Sequence, residues 1–172
     1  MRVKNSFHFS VVFMMILSGS LSRLIPHAPN FTAVGAMALF AGATLGLSLW
    51  AFLIPMTTLA LTDLVFGLHP TMIYVYGAFS LVTLLGALTL KKRSGARLVG
   101  ITLLSSLLFF FVTNFGVWAA GGFYAPNFSG LMESFTMGIP FLKNQIFGDI
   151  TYSVLMFAGY ELLARRSVKS LT

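Results

Sequence analysis

Apolar runs close to or above membrane-spanning length follow one another along almost the whole chain, separated by short polar breaks. About 18 consecutive apolar residues mark a bilayer-crossing helix. Composition points the same way. Of the 172 residues, 57% are hydrophobic and 9% charged, whereas ordinary soluble domains carry about 25% charged residues. The expectation is an all-α, polytopic bundle of six transmembrane helices, one integral inner-membrane domain over residues 1–172. Cysteine is absent, which excludes disulfides, thiolate metal sites and cysteine nucleophiles.

Prolines, glycines and charges divide the runs. The first covers about Phe7 to Leu24 and ends at the loop Pro26-His27-Ala28-Pro29-Asn30, where two prolines stop a helix and hold the chain extended. The second, about Phe31 to Leu47, is rich in small residues. Its Ala38-xxx-Gly42-xxx-Gly46 stripe suits close helix packing in lipid. The third, about Leu49 to Phe66, contains Pro55 as an expected kink and Asp63 near its end, before the turn Gly67-Leu68-His69-Pro70. The fourth covers about Thr71 to Leu90, the fifth about Leu98 to Ala119 and the sixth about Pro140 to Leu163. A long connector, Ala120 to about Gly138, separates the last two, and its Gly121-Gly122 pair and Tyr124 suggest a lid over an outward pocket.

The net charge of +7 raises nucleic acid as a partner. Placement favours the lipid bilayer instead. Arg2, Lys4, Lys91, Lys92, Arg93, Arg97, Arg165, Arg166 and Lys169 cluster beside apolar segments on one side of the six-span topology. Only Arg23 and Lys143 fall on the other. Nine against two is a strong positive-inside asymmetry with both termini cytoplasmic. No solvated element interleaves basic and aromatic residues, so no nucleic-acid face is expected. Arg2, Lys4 and the apolar stretch before Ser18-Gly19-Ser20 also imitate a signal peptide. The apolar run continues past those small residues to Ile25, and an uncleaved first span is expected.

Charged groups at membrane depth face a bundle interior or a water-filled cavity. Arg23, His27, Asp63, His69, Glu133, Lys143 and Asp149 all fall toward the extracytoplasmic side, which suggests a pocket open to the outside. Asp63 with Arg23, and Asp149 with Lys143, can be read as structural ion pairs or as substrate-binding carboxylates. Lys143 and Asp149, six residues apart on a helix, do not meet well. Asn114 and Trp118 share a helix face, and Trp118 also fits an interfacial belt. Tyr152 shares the face of Asp149, with Asn144 set obliquely. Together these offer amides, carboxylates and a stacking surface for a small molecule. His27, His69, Asp63 and Asp149 lack metal-ligand spacing, so neither metal nor cofactor is expected. Walker A and GxSxG sequences are absent, and the chain is not expected to be an enzyme.

The sequences Ser22-Arg23-Leu24-Ile25-Pro26-His27-x-Pro29-Asn30-Phe31, Asp63-xxx-Gly67-x-His69, Thr113-Asn114-Phe115-Gly116-Val117-Trp118 and Ile139-Pro140-Phe141-xx-Asn144-xxx-Gly148-Asp149-xx-Tyr152 carry a resemblance. Over nearly its whole length the chain resembles a family of small bacterial membrane proteins regarded as transport proteins. These in turn look like the substrate-binding S subunits of energy-coupling-factor (ECF) vitamin transporters. The resemblance implies a six-helix bundle that captures a vitamin-like small molecule from outside. It also implies a transmembrane coupling subunit and cytoplasmic ATPases as partners. In place of the Ala-xxx-Ala pattern common in the first helix of S subunits, this chain has Ser18-xxx-Ser22. A solitary small transporter is therefore an alternative, as is a structural or assembly membrane protein without a transport role.

Overall fold

A computed structural model describes residues 14–91 and 94–169, with side chains up to residue 162. Arg2, Lys4, Lys92, Arg93, the start of the first apolar run at Phe7, and the side chains of Arg165, Arg166 and Lys169 lie outside that description. Six helices and no strands make up the described residues: α1 (14–24), α2 (Val34–Leu45), α3 (Leu49–Phe66), α4 (Met72–Thr89), α5 (Gly95–Ala120) and α6 (Phe128–Lys169).

Three of these, α3, α4 and α5, are long and apolar enough to cross a membrane, rather than the six expected. The difference has local causes. α1 is described only from residue 14. α2 has 12 residues, about 18 Å of helix against a hydrocarbon core of about 30 Å. It starts at Val34 rather than Phe31 because Asn30 adopts φ 63° and the chain turns there, with Phe31 N–H donating to the Ala28 carbonyl. α6 is long, but Glu133, Lys143, Gln145 and Asp149 dilute its apolar character.

The connector after the fifth run is also shorter than expected. α5 reaches Ala120, and α6 starts at Phe128, so only residues 121–127 are non-helical. Asn127 starts α6, its Oδ1 accepting from the Gly130 N–H at 3.0 Å. That is the bond an N-cap residue makes to the third helical position. The helix continues through Pro140, which removes only the bond to the Thr136 carbonyl. Glu133 is therefore on a helix, and the non-helical part of the expected lid shrinks to residues 121–127. Ser94 caps α5 by accepting from the Arg97 N–H, which draws Gly95 to Arg97 into the helix.

Side-chain pairs fix the topology. Thr58 meets Met37, Tyr76 meets Asp63, Phe79 packs on Phe109, and Ser106 meets Asp149. Neighbouring helices therefore run antiparallel. The α1–α2, α3–α4 and α5–α6 loops gather at one end, and Lys91 and Arg97 lie at the other.

α2 is the central post, with every residue from Val34 to Gly42 buried against α3, α4, α5 and α6. The small residues permit this. A Cβ on Gly42 would run into the Thr83 carbonyl of α4, and one on Gly86 into the Leu39 carbonyl of α2. Ala38 and Gly42 of the stripe thus pack within the chain, while Gly46 ends the helix in open space. Beside an apolar core, the surface is far more apolar than that of a protein in water, and hydroxyls are buried between helices. Leu64, Ile73, Leu53 and Phe111 face outward, while Thr58, Thr62, Thr83, Thr102, Ser105 and Ser106 are buried. Such an apolar exterior over polar helix contacts is the arrangement of a bundle in lipid. The chain is a membrane protein by this pattern and by its three spans.

Candidate functional site

The loop end of the bundle opens into a cavity of about 470 Å³, within the roughly 300–1,000 Å³ of small-molecule sites. It exists because α2 starts late. The non-helical segment from Ile25 to Thr32 takes the place of a first helical turn and, with Leu24 at the end of α1, forms one wall, with Val34 and Gly35 also lining the cavity. Leu59, Val75, Phe79 and Phe109 supply apolar sides, and Gln145 and Asp149 of α6 supply polar groups.

Asp149 is 3% exposed. Ser106 of α5 donates to its Oδ2 at 2.7 Å, and the Gln145 side chain also hydrogen-bonds the carboxylate. Lys143 is exposed and makes no ion pair with it. The sole ion pair among the described residues is Arg23–Asp63. Gly35 lets α2 pass this point, since a Cβ there would strike the Asp149 carboxylate. Gln145 is 4% exposed, and its buried Oε1 has no hydrogen-bond partner. A buried, unsatisfied amide oxygen costs about 1–3 kcal/mol.

At the mouth, Arg23 Nη2 donates to Asp63 Oδ1 at 3.0 Å. Tyr76 donates to Asp63 Oδ2 at 3.0 Å, so both oxygens of this buried carboxylate are occupied. The guanidinium also lies over the Phe66 ring, 5.6 Å from its centroid. Its Nη1 is buried without a partner and Arg23 lines the cavity. His69 and His27 stand at the rim. His69 Nδ1 bonds the Thr71 hydroxyl at 2.8 Å, and His27 Nδ1 pairs with the Ala28 carbonyl oxygen at 2.7 Å.

The remaining candidates scatter around this cavity. Asn114 and Tyr124 line a second space of about 260 Å³, which shares Asn30, Val75 and Phe109 with the first. Asn114 Nδ2 donates to the Phe110 carbonyl at 2.8 Å, and its own carbonyl accepts from Ser134. Tyr152 faces the other side of the Ile25–His27 segment, its ring 5.8 Å from Phe31. Trp118 lines none of these cavities and holds the α5–α6 loop, donating to the Ala125 carbonyl at 3.0 Å. Asn144 is half-buried and also lines none of them. The candidates therefore do not share one space: Asp149 lines the first cavity, Asn114 and Tyr124 the second, and Tyr152 a third. Among the described residues no three His, Asp or Glu side chains gather as metal ligands.

Gln145 and Ser106 went unrecognised in the sequence. The signal for Gln145 was its position four residues before Asp149, one turn away on the same face. Ser106 showed only as a hydroxyl inside an apolar run. Ser22, read as half of a small-residue pair, instead accepts from the Ala33 N–H at the start of α2 at 3.0 Å.

No curated protein and no solved structure matches the chain. A family model matches residues 3–171, nearly everything from the first helix to the end of α6, and the chain belongs to that family, described as a family of unknown function (DUF6580).

Proposed function

We propose that this protein takes up a small molecule across a bacterial inner membrane, as the substrate-binding subunit of an ECF-type or related transporter whose pocket faces outward. The observation that carries the reading is the open cavity ending at the buried Asp149 and Gln145 side chains. A purely structural bundle gains nothing from a buried amide oxygen without a partner, whereas a binding site requires groups left for its ligand. All six helices lie in the bilayer in this reading, with both termini and the basic clusters in the cytoplasm. α2 completes its crossing through the non-helical 25–33 segment, which irregular backbone can do where it lines a wet cavity. α6, about 63 Å long by its 42 residues, projects beyond the membrane. A coupling subunit and ATPases would supply the energy, since the chain has no Walker A sequence of its own.

Mass spectrometry of compounds that co-purify with the protein, followed by uptake of the labelled compound into cells, tests this. Uptake is expected to depend on expression of the chain and to fall when Asp149 is replaced. A folded, abundant protein that changes accumulation of no co-purifying compound would leave a structural or assembly role.

A further inference from the structure

The two orphaned polar atoms of the cavity have opposite character and sit at opposite ends. Gln145 Oε1 is an acceptor, buried on α6 beside the Asp149 carboxylate. Ser106, which fixes that carboxylate, lies three residues deeper on α5 than Phe109, and Phe79, which packs on Phe109, lies three residues deeper on α4 than Tyr76 at Asp63, so this end lies about 9 Å along the helices from the Arg23–Asp63 pair. Arg23 Nη1 is a donor, in the last turn of α1. Phe66, the last residue of α3, and His69 in the α3–α4 loop stand near it. Arg23 cannot swing inward to satisfy Asp149, because Asp63 holds its other nitrogen and Phe66 lies across its plane. Between the two ends the walls are apolar, with two phenyl rings, Phe79 and Phe109, in contact at 4.6 Å between centroids.

Building on the uptake reading, we propose that the substrate is a compact molecule of opposed polarity. An N–H-rich group, such as an ammonium or an amino-substituted heterocycle, docks on Gln145 and Asp149. An apolar or aromatic body fills the middle, and an acceptor group such as a carboxylate meets Arg23. The polarity follows from the atoms left over. Acceptors at the deep end call for donors, and a guanidinium N–H at the mouth calls for an acceptor, in the charge-assisted form that binds most tightly. Asp63 and Tyr76 serve as positioning residues, holding Arg23 at the wall without touching the ligand.

The test uses three probes on the purified full chain in detergent micelles: para-aminomethylbenzoate, para-methylbenzylamine and para-methylbenzoate. Binding is followed by titration calorimetry at millimolar probe. The two-ended probe is expected to bind most tightly. Gln145→Leu should weaken the two-ended probe and the amine about tenfold and leave the carboxylate probe unchanged. Arg23→Lys keeps a cation for Asp63 but removes the second guanidinium nitrogen. It should weaken the two-ended probe and the carboxylate probe and spare the amine. Gln145→Met, close in shape, carries the same comparison should Gln145→Leu fail to fold. Equal loss of all three probes in either variant, or no binding of any probe to the unaltered chain, overturns the proposal. The uptake reading is judged separately. A co-purifying compound that is transported but lacks either polar group overturns the polarity alone, and probe binding without transport of any compound overturns uptake alone.

Discussion

Two buried aspartates have opposite surroundings, and single substitutions should separate them. Asp63 has both oxygens occupied, by Arg23 and Tyr76. Asp63→Asn leaves the guanidinium poorly compensated, a change that costs about 3–5 kcal/mol when one partner of a buried pair is removed. The expected result is a lower melting temperature and less folded protein. Asp149 has a serine and an amide for company and no cation. Asp149→Asn keeps its volume and should leave the melting temperature nearly unchanged while weakening ligand capture at least tenfold, about 1.4 kcal/mol. Normal capture by Asp149→Asn, with a folded but non-binding Asp63→Asn, would reverse the two roles. The Arg23–Asp63 pairing was open to inspection in the sequence, since a proline-containing loop puts both charges at one membrane level. The partners of Asp149 were not, because nothing in an apolar run reveals which way Ser106 points.

Helices succeed or fail here by what their backbones can approach. Gly42 and Gly86 bring α2 and α4 into backbone contact at two points one turn apart. Gly42→Ala or Gly86→Ala forces a methyl into a carbonyl of the facing helix, and overpacking of this kind costs about 1–3 kcal/mol. Each should lower the melting temperature, and the candidate site at Gln145 and Asp149 should survive in the protein that remains folded. Thermal denaturation beside probe titration reads both. Long apolar runs made α3, α4 and α5 legible to within a few residues. The beginnings of α2 and α6 were not, and for opposite reasons. Asn30 looked like the edge of a helix but turns the chain with a positive φ. The glycines of 121–138 looked like a loop, yet the Asn127 side chain is enough to start a helix that Pro140 then fails to stop.

For the molecule as a whole, the positive-inside asymmetry and the antiparallel order of the helices make the same demand. Reporter fusions after Lys92 and at the C-terminus should read cytoplasm, and one after Asn127 should read the outside. An outside signal at Lys92 would overturn the six-crossing topology. The membrane class and the even alternation of helices came from composition and charge placement. The one-sided polar residues suggested a pocket, but not its walls, since these depend on a missing turn of α2 and on where separate loops meet.

That missing turn also bears on how the protein is made. A 12-residue helix buried from Val34 to Gly42 has little surface for lipid to solvate and too little length to reach both interfaces. While the chain is being synthesised, α2 has no stable resting place until α3 and α4 are present to enclose it. The nascent chain therefore commits this segment to the membrane late, as part of a hairpin group rather than as an independent insertion event. A ribosome-bound intermediate in which α2 has left the exit tunnel but α3 and α4 have not should leave α2 accessible to aqueous labelling, and one in which α4 has also emerged should not.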